Sequence, residues 1–354
     1  HALTVGYRDM EDSESRVQAH EYADQAADGS LSALYGYVGL SGSNNRLRES
    51  SATSYYLEDT MDFGRLALTV GYRSEDYDQR HRRWSDAAGP NLTEVRTGPA
   101  DVRDTMAYND HTTSSIGATY DLNDTMTLVA GFHEGMTPMF GADPEEADNM
   151  ELGVRYSEGT TNIEAFYFAS DYSRLAAECT LVSGASCNPD ESAIFSGGAA
   201  EVSGLEFSGS WMLQGDNGVM YPISVNYTST DATFKNSSDS DYFGTVAAGD
   251  DLPYIPDSQS SIVLGFINDN GLSGNARLVN VGGSCSLAAC GVYNKIESHS
   301  YLDLNLRKAL NDSMSVYLIL ENTLDSEDLI SRAPSEGARS QKPRTMKVGF
   351  SYNF

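Results

Sequence analysis

The 354 residues predict an all-β fold, a transmembrane antiparallel β-barrel of about 14 spanning strands with short turns at one end and long loops at the other. Three observations carry that reading. Segment after segment alternates apolar and polar side chains with a period of two, which gives a strand one greasy face and one wet face. The connections between these segments alternate between short and long. No stretch approaches the roughly 18 apolar residues of a transmembrane helix, so any crossing of a membrane must use strands.

In chain order, "HALTVGYR" (1–8) reads as a strand already under way, with no basic n-region and apolar h-region before it. The expectation is that a signal and earlier sequence were removed, or that the chain is part of a longer protein. "ALTVGYR" returns at 67–73 as a second strand under the same packing demands, not as a repeat array. In "MELGVRY", Met150, Leu152, Val154 and Tyr156 oppose Glu151 and Arg155. "GLEFSGSWML" sets Leu205, Phe207, Trp211 and Leu213 against Glu206, Ser208 and Ser210. "PISVNYT" does the same with Ile223, Val225 and Tyr227, and "YLDLNLR" with Leu302, Leu304 and Leu306 against Asp303, Asn305 and Arg307. The closing "TMKVGFSYNF" places Met346, Val348, Phe350, Tyr352 and Phe354 on one parity. A soluble sandwich also alternates, so periodicity alone does not decide between a core-facing and a lipid-facing apolar side.

Connection lengths separate the two better than periodicity does, although a soluble sandwich or solenoid stays open as the alternative. "DFGR" (62–65), "DLND" (121–124), "SEGTT" (157–161), "QGDNG" (214–218), "NDNG" (268–271) and "LNDS" (310–313) are tight turns rich in Asn, Asp and Gly, residues that tolerate positive φ. Between them lie long connections at about 9–50, 75–111, 135–149, 171–199, 229–258, 282–298 and 324–344. Short turns on one side and long loops on the other organise an outer-membrane barrel, with strands of about 9–11 residues between them.

Composition excludes some functions. With 51 acidic against 23 basic side chains, the chain lacks the positive footprint that nucleic acid requires. Cys179 with Cys187, and Cys285 with Cys290, form two close pairs inside long connections without zinc-like spacing, so two local disulfides and an oxidising compartment are expected. No nucleophile elbow or H-E-x-x-H helix is present, and pairs such as Glu145 with Glu146 sit in an acidic loop, which argues against an enzyme. "DQRHRRW" (78–84) breaks the acidic trend: Arg80, Arg82 and Arg83, with His81 and Trp84, gather at the top of a rising strand. Guanidinium forks suit carboxylate-rich chelates, and an aromatic neighbour suits an organic scaffold. Contact with lipopolysaccharide phosphates or neighbouring loop carboxylates is the alternative for the same side chains. His133 and Glu134 in "GFHEG" lie at another strand top, as a second ligand candidate or as ordinary lumenal hydrogen-bonding groups.

Several stretches together resemble the TonB-dependent outer-membrane receptors, within them the ferric citrate and siderophore branch. These are "YYLEDTMDFGRLALTVGYRSEDYD", "TLVAGFHEGMTP" followed by "PEEADNMELGVRY", "FSGGAAEVSGLEFSGSW", "LPYIPDSQ", and "ENTLDSEDLISRAPSEGARSQKPRT" with the closing "VGFSYNF". Val70 stands where the family often has proline. The resemblance implies a 22-strand barrel with a plugged lumen, of which residues 1–354 are the C-terminal part, with the plug and about eight strands either ahead of His1 or absent. It further implies uptake of a ferric chelate, citrate-like or another siderophore, without cofactor or chemical change. The implied partners are outer-membrane lipid and lipopolysaccharide, the barrel assembly machinery reading Phe354, and a TonB-type energy-coupling protein engaged through the N-terminal plug. The outer membrane of a Gram-negative bacterium is the implied location. A plugless barrel, acting as a passive pore or structural surface protein, is the competing expectation.

Overall fold

In a computed structural model, the chain is described except at residues 18, 22, 33–36, 40–44, 85–95, 97, 102, 140–142, 179–193, 216–217, 241–242, 333–337 and 354. Fourteen strands form one sheet: β1 (Ala2–Val17), β4 (Asn45–Asp62), β5 (Leu66–Arg83), β6 (Arg103–Asp121), β7 (Met126–Thr137), β8 (Glu145–Glu158), β9 (Thr161–Glu178), β10 (Ile194–Gln214), β11 (Met220–Phe234), β14 (Ser258–Ile267), β15 (Leu272–Val281), β18 (His299–Ala309), β19 (Met314–Glu321) and β22 (Thr345–Tyr352). They follow one another in chain order, each antiparallel to the next. Among the described residues, eight short strands pair as hairpins within the long connections: β2 (Ala19–Glu21) with β3 (Tyr37–Gly39), β12 (Ser238–Ser240) with β13 (Gly244–Val246), β16 (Ser284–Cys285) with β17 (Lys295–Ile296), and β20 (Leu329–Ser331) with β21 (Arg339–Ser340).

Register turns the alternation into two continuous surfaces. At one level, Leu264 of β14 faces Ala276, Ala276 faces Leu304, and Leu304 faces Leu320. Followed across the other strands, the same face carries Leu3, Val5, Tyr55, Leu57, Tyr72, Ile116, Phe132, Leu152, Tyr167 and Leu205, all exposed. On β22 it presents Val348 at 73% and Phe350 at 58% exposure. So large an apolar area has no place in water and suits hydrocarbon. The opposite face carries Arg155 with Glu164, Lys347 with Glu321, and Asn305 donating to Asn275, so it lines the lumen. Leu302, Leu304, Leu306, Val348, Phe350 and Tyr352 all stand on the apolar face, as their parity predicts.

Two lumenal contacts show how glycine serves this wall. A Cβ added at Gly6 would lie 2.0 Å from the Tyr56 ring, and one at Gly349 would lie 2.0 Å from the Tyr317 ring. Each tyrosine lies flat over the glycine directly opposite it on the neighbouring strand.

The wall is taller than the sequence predicts. β4 and β5 each run 18 residues, β6 runs 19 and β10 runs 21, well past the expected 9–11. The connections between the long strands shrink accordingly. The physical reason lies on the outer face. Above Tyr72, β5 presents Ser74, Asp76, Asp78 and Arg80 outward, so the apolar repeat stops while backbone pairing with β4 and β6 continues to Arg83. The later strands are short, 8 to 11 residues from β14 onward, and are crowned by packed connections. There Phe234, Val246 and Ala288 form a small buried cluster, and the Cys285–Cys290 disulfide closes the segment that contributes Ala288. Cys179, Cys187 and Phe354 lie outside the described residues.

Candidate ligand-docking face in the lumen

The basic run at 80–84 sits on the extracellular end of β5, and strand geometry divides it. Successive side chains point to opposite faces, so Arg80 and Arg82 project outward while His81 and Arg83 project into the lumen. Arg80 is directly opposite Glu49 and Met106, and Arg82 is opposite Leu47 and Asp104. The Arg80 fork donates from Nε and Nη2 to the two Asp104 oxygens at 2.9 Å each. That bidentate contact, well above the lipid-facing band, holds the Asp104 carboxyl below its ordinary range. Arg82 pairs with Glu49. The outward arginines therefore answer carboxylates on neighbouring strands. His81 and Arg83 are fully buried.

Register brings further arginines to Arg83. Arg16 of β1 faces Arg46 of β4, Arg46 faces Arg83 of β5, and Arg83 faces Arg103 of β6. Four guanidinium-bearing residues thus stand in one cross-strand row on the lumenal face. One step toward the membrane, Glu14, Arg48, His81 and Thr105 form the next row. Like charges directly opposite one another repel, and Glu14 offsets part of this, accepting from Arg46 at 2.8 Å and lying 3.6 Å from Arg48. Arg46 and Arg83 are buried, whereas Arg16 and Arg103 at the ends of the row are partly exposed.

Arg96, from the connection after β5, braces this end of the wall. Its Nε donates to Asn45 Oδ1 at 3.1 Å, and its Nη2 donates to the carbonyls of Arg46 at 2.7 Å and Arg16 at 3.4 Å. The guanidinium lies 5.0 Å from the ring centroid of Trp84, whose indole N–H donates to the Gly98 carbonyl. Trp84 is thus a buried structural neighbour of the arginine row.

Farther down the wall, His111 lies 3.6 Å from Glu146, and Arg174 pairs with both Glu146 and Asp143. His133 and Glu134 are not brought together. His133 faces Ser115 and Asn149 on the lumenal side, and Glu134 turns outward to accept from the Ser114 N–H and hydroxyl at 2.7 and 2.8 Å. Sequence reading missed Arg16, Arg46, Arg48, Arg96 and Arg103. Four of these five stand at or near the extracellular end of a strand on the lumenal parity, a signal visible only once register is known.

The model of the TonB-dependent receptor-like β-barrel matches residues 2–322. No curated protein sequence matches the chain. Among solved structures, the siderophore receptor PiuA from Acinetobacter baumannii aligns over 99% of this chain and 52% of its own, with a TM-score of 0.74 at 16% identity. The unliganded ferric citrate transporter FecA gives 0.72 at 18% identity over 99% and 51%. The closed form of the ferric-catecholate import receptor Fiu from E. coli K12 gives 0.70 at 18% over 99% and 52%. The chain therefore spans about half the length of these neighbours, and at such identities the likeness is one of fold. With a single 14-strand antiparallel sheet, an apolar outer band and a family match over most of its length, the chain belongs to the TonB-dependent receptor-like β-barrels of the Gram-negative outer membrane.

Proposed function

We propose that this chain is the C-terminal barrel portion of a receptor that takes up an anionic ferric chelate, citrate-like or another siderophore. A plug and coupling segment ahead of His1 would engage a TonB-type protein of the inner membrane, as the family membership suggests. The observation that carries the ligand reading is the lumenal row Arg16, Arg46, Arg83 and Arg103 in a chain with a formal charge of −28. An anionic ligand approaching so acidic a protein is repelled over most of the mouth, and a local positive field is needed where it docks. The buried Arg46 and Arg83 contribute field. Arg16 and Arg103, partly exposed, are the groups placed to touch a ligand.

A charge-assisted hydrogen bond contributes ~1.5–3 kcal/mol, equivalent to roughly 10- to 150-fold in affinity. In the complete receptor, Arg103→Gln is therefore expected to weaken binding of a carboxylate ferric chelate by about that factor, measured by calorimetric titration. Arg82→Gln, on the outer face, is expected to leave affinity unchanged. Equal affinity of both variants and wild type for carboxylate and catecholate chelates alike would remove the arginine row from ligand recognition.

A further inference from the structure

We infer that Glu14 is a resident carboxylate that competes with the ligand for the arginine row and limits how much negative charge the docking face accepts. The inference rests on the ligand reading above. At the extracellular end of the lumenal face, the row Arg16, Arg46, Arg83 and Arg103 stands above the row Glu14, Arg48, His81 and Thr105. Five of these eight residues are arginines, and Glu14 is the one carboxylate. Its Oε1 accepts from Arg46 Nη2 at 2.8 Å, and its Oε2 lies 3.6 Å from Arg48 Nη1. The Arg46 and Arg48 side chains are only 8% and 12% exposed, whereas that of Glu14 is 46% exposed. The acid is thus the member of the trio open to solvent. Glu49 and Asp104, on neighbouring strands at the same height, lie on the outer face and are held by Arg82 and Arg80.

Charge accounts both for the place of Glu14 and for its consequence. Like charges directly opposite one another repel, so without a ligand the rows need a counter-charge, and Glu14 supplies it to Arg46 and Arg48 at once. A ligand carboxylate offers guanidinium groups the same chemistry. Docked on this face it meets Glu14 as a like charge, and the repulsion grows with every negative charge the ligand carries. For one ligand charge ~10 Å from Glu14, Coulomb's law with an effective dielectric constant between about 20 and 80 gives roughly 2- to 20-fold in affinity. Glu14 therefore penalises a highly charged chelate more than a singly charged one. The side chain that steadies the empty face is the one that weakens the filled one.

The test is calorimetric titration of the complete receptor with the carboxylate and catecholate ferric chelates used for Arg103→Gln. Glu14→Gln keeps an oxygen to accept from Arg46 and removes the charge, and it is expected to bind the anionic chelate more tightly by roughly 2- to 20-fold for each ligand charge at that range. Glu14→Asp, which keeps the charge, is expected to bind as wild type does. Glu11→Gln, the same loss of charge on the outer face of the same strand, is expected to leave affinity unchanged. Unchanged or weaker binding by Glu14→Gln, in a receptor that Arg103→Gln does weaken, would overturn the inference and leave the ligand reading standing. An equal gain in Glu11→Gln would overturn it in favour of net charge alone, and an equal gain in Glu14→Asp in favour of a packing effect. Indifference of every variant, Arg103→Gln included, or no binding of either chelate by wild type, would remove the ligand reading and this inference together.

Discussion

Replacing Leu304 with Arg tests which face of the sheet meets hydrocarbon. On β18 the outward positions run Ser300, Leu302, Leu304, Leu306, Lys308, so Leu304 is midway between two polar boundaries. Four residues separate it from each, ~13 Å along the strand and ~10 Å along the membrane normal for a strand tilted by about 40°. That is farther than an arginine side chain extends, so the guanidinium cannot reach either polar boundary by snorkelling. The expected destabilisation is ~2–4 kcal/mol. Asn305→Leu, one residue on, changes the lumenal face. It removes the Asn305 Nδ2 donor to Asn275 Oδ1 at 3.0 Å, for ~1 kcal/mol. Folding of the complete receptor into lipid vesicles, followed by urea titration and by the heat-dependent gel shift of barrels, separates the two. If Leu304→Arg folds as wild type while Asn305→Leu abolishes insertion, inside and outside have been exchanged and the reasoning from register fails.

Two further perturbations probe the extracellular packing and the wall. Replacing Cys285 and Cys290 by Ser opens a short loop at ~2 kcal/mol, and limited proteolysis should report the released Ala288 segment while the heat-dependent gel shift stays unchanged; a melted barrel would contradict this peripheral role. Mass mapping of the non-reduced protein is expected to find Cys179 joined to Cys187, and free thiols or cross-pairing would refute that expectation. Gly349→Val displaces the Tyr317 ring that lies over it and should cost ~1–3 kcal/mol by overpacking; Tyr317→Ala in the same background should recover part of the loss, and no recovery would mean that the clash lies elsewhere.

The fold was legible because lipid and lumen impose opposite chemistry on alternate residues. Leu302, Leu304 and Leu306 against Asp303, Asn305 and Arg307 read the same way in a string of letters and in the sheet. The legibility ended where lipid ended. Above Tyr72 the outer face of β5 faces water and carries Asp76 and Asp78, so alternation no longer separates strand from loop, and 75–111 reads as a connection although pairing continues to Arg83 and resumes at Arg103. The basic run at 80–83 was visible as a cluster, yet a cluster in sequence is divided between two faces in a strand. Arg80 and Arg82 spend their charge on Asp104 and Glu49, and only Arg83 with His81 joins the lumen. The converse holds for Arg16, Arg46, Arg83 and Arg103. They are 20 to 37 positions apart in sequence and adjacent in space, because a two-residue periodicity fixes which face a side chain takes but not which residue stands beside it across the ladder. The register of neighbouring strands supplies that second coordinate, and with it the concentration of positive charge from which the proposed ligand chemistry follows.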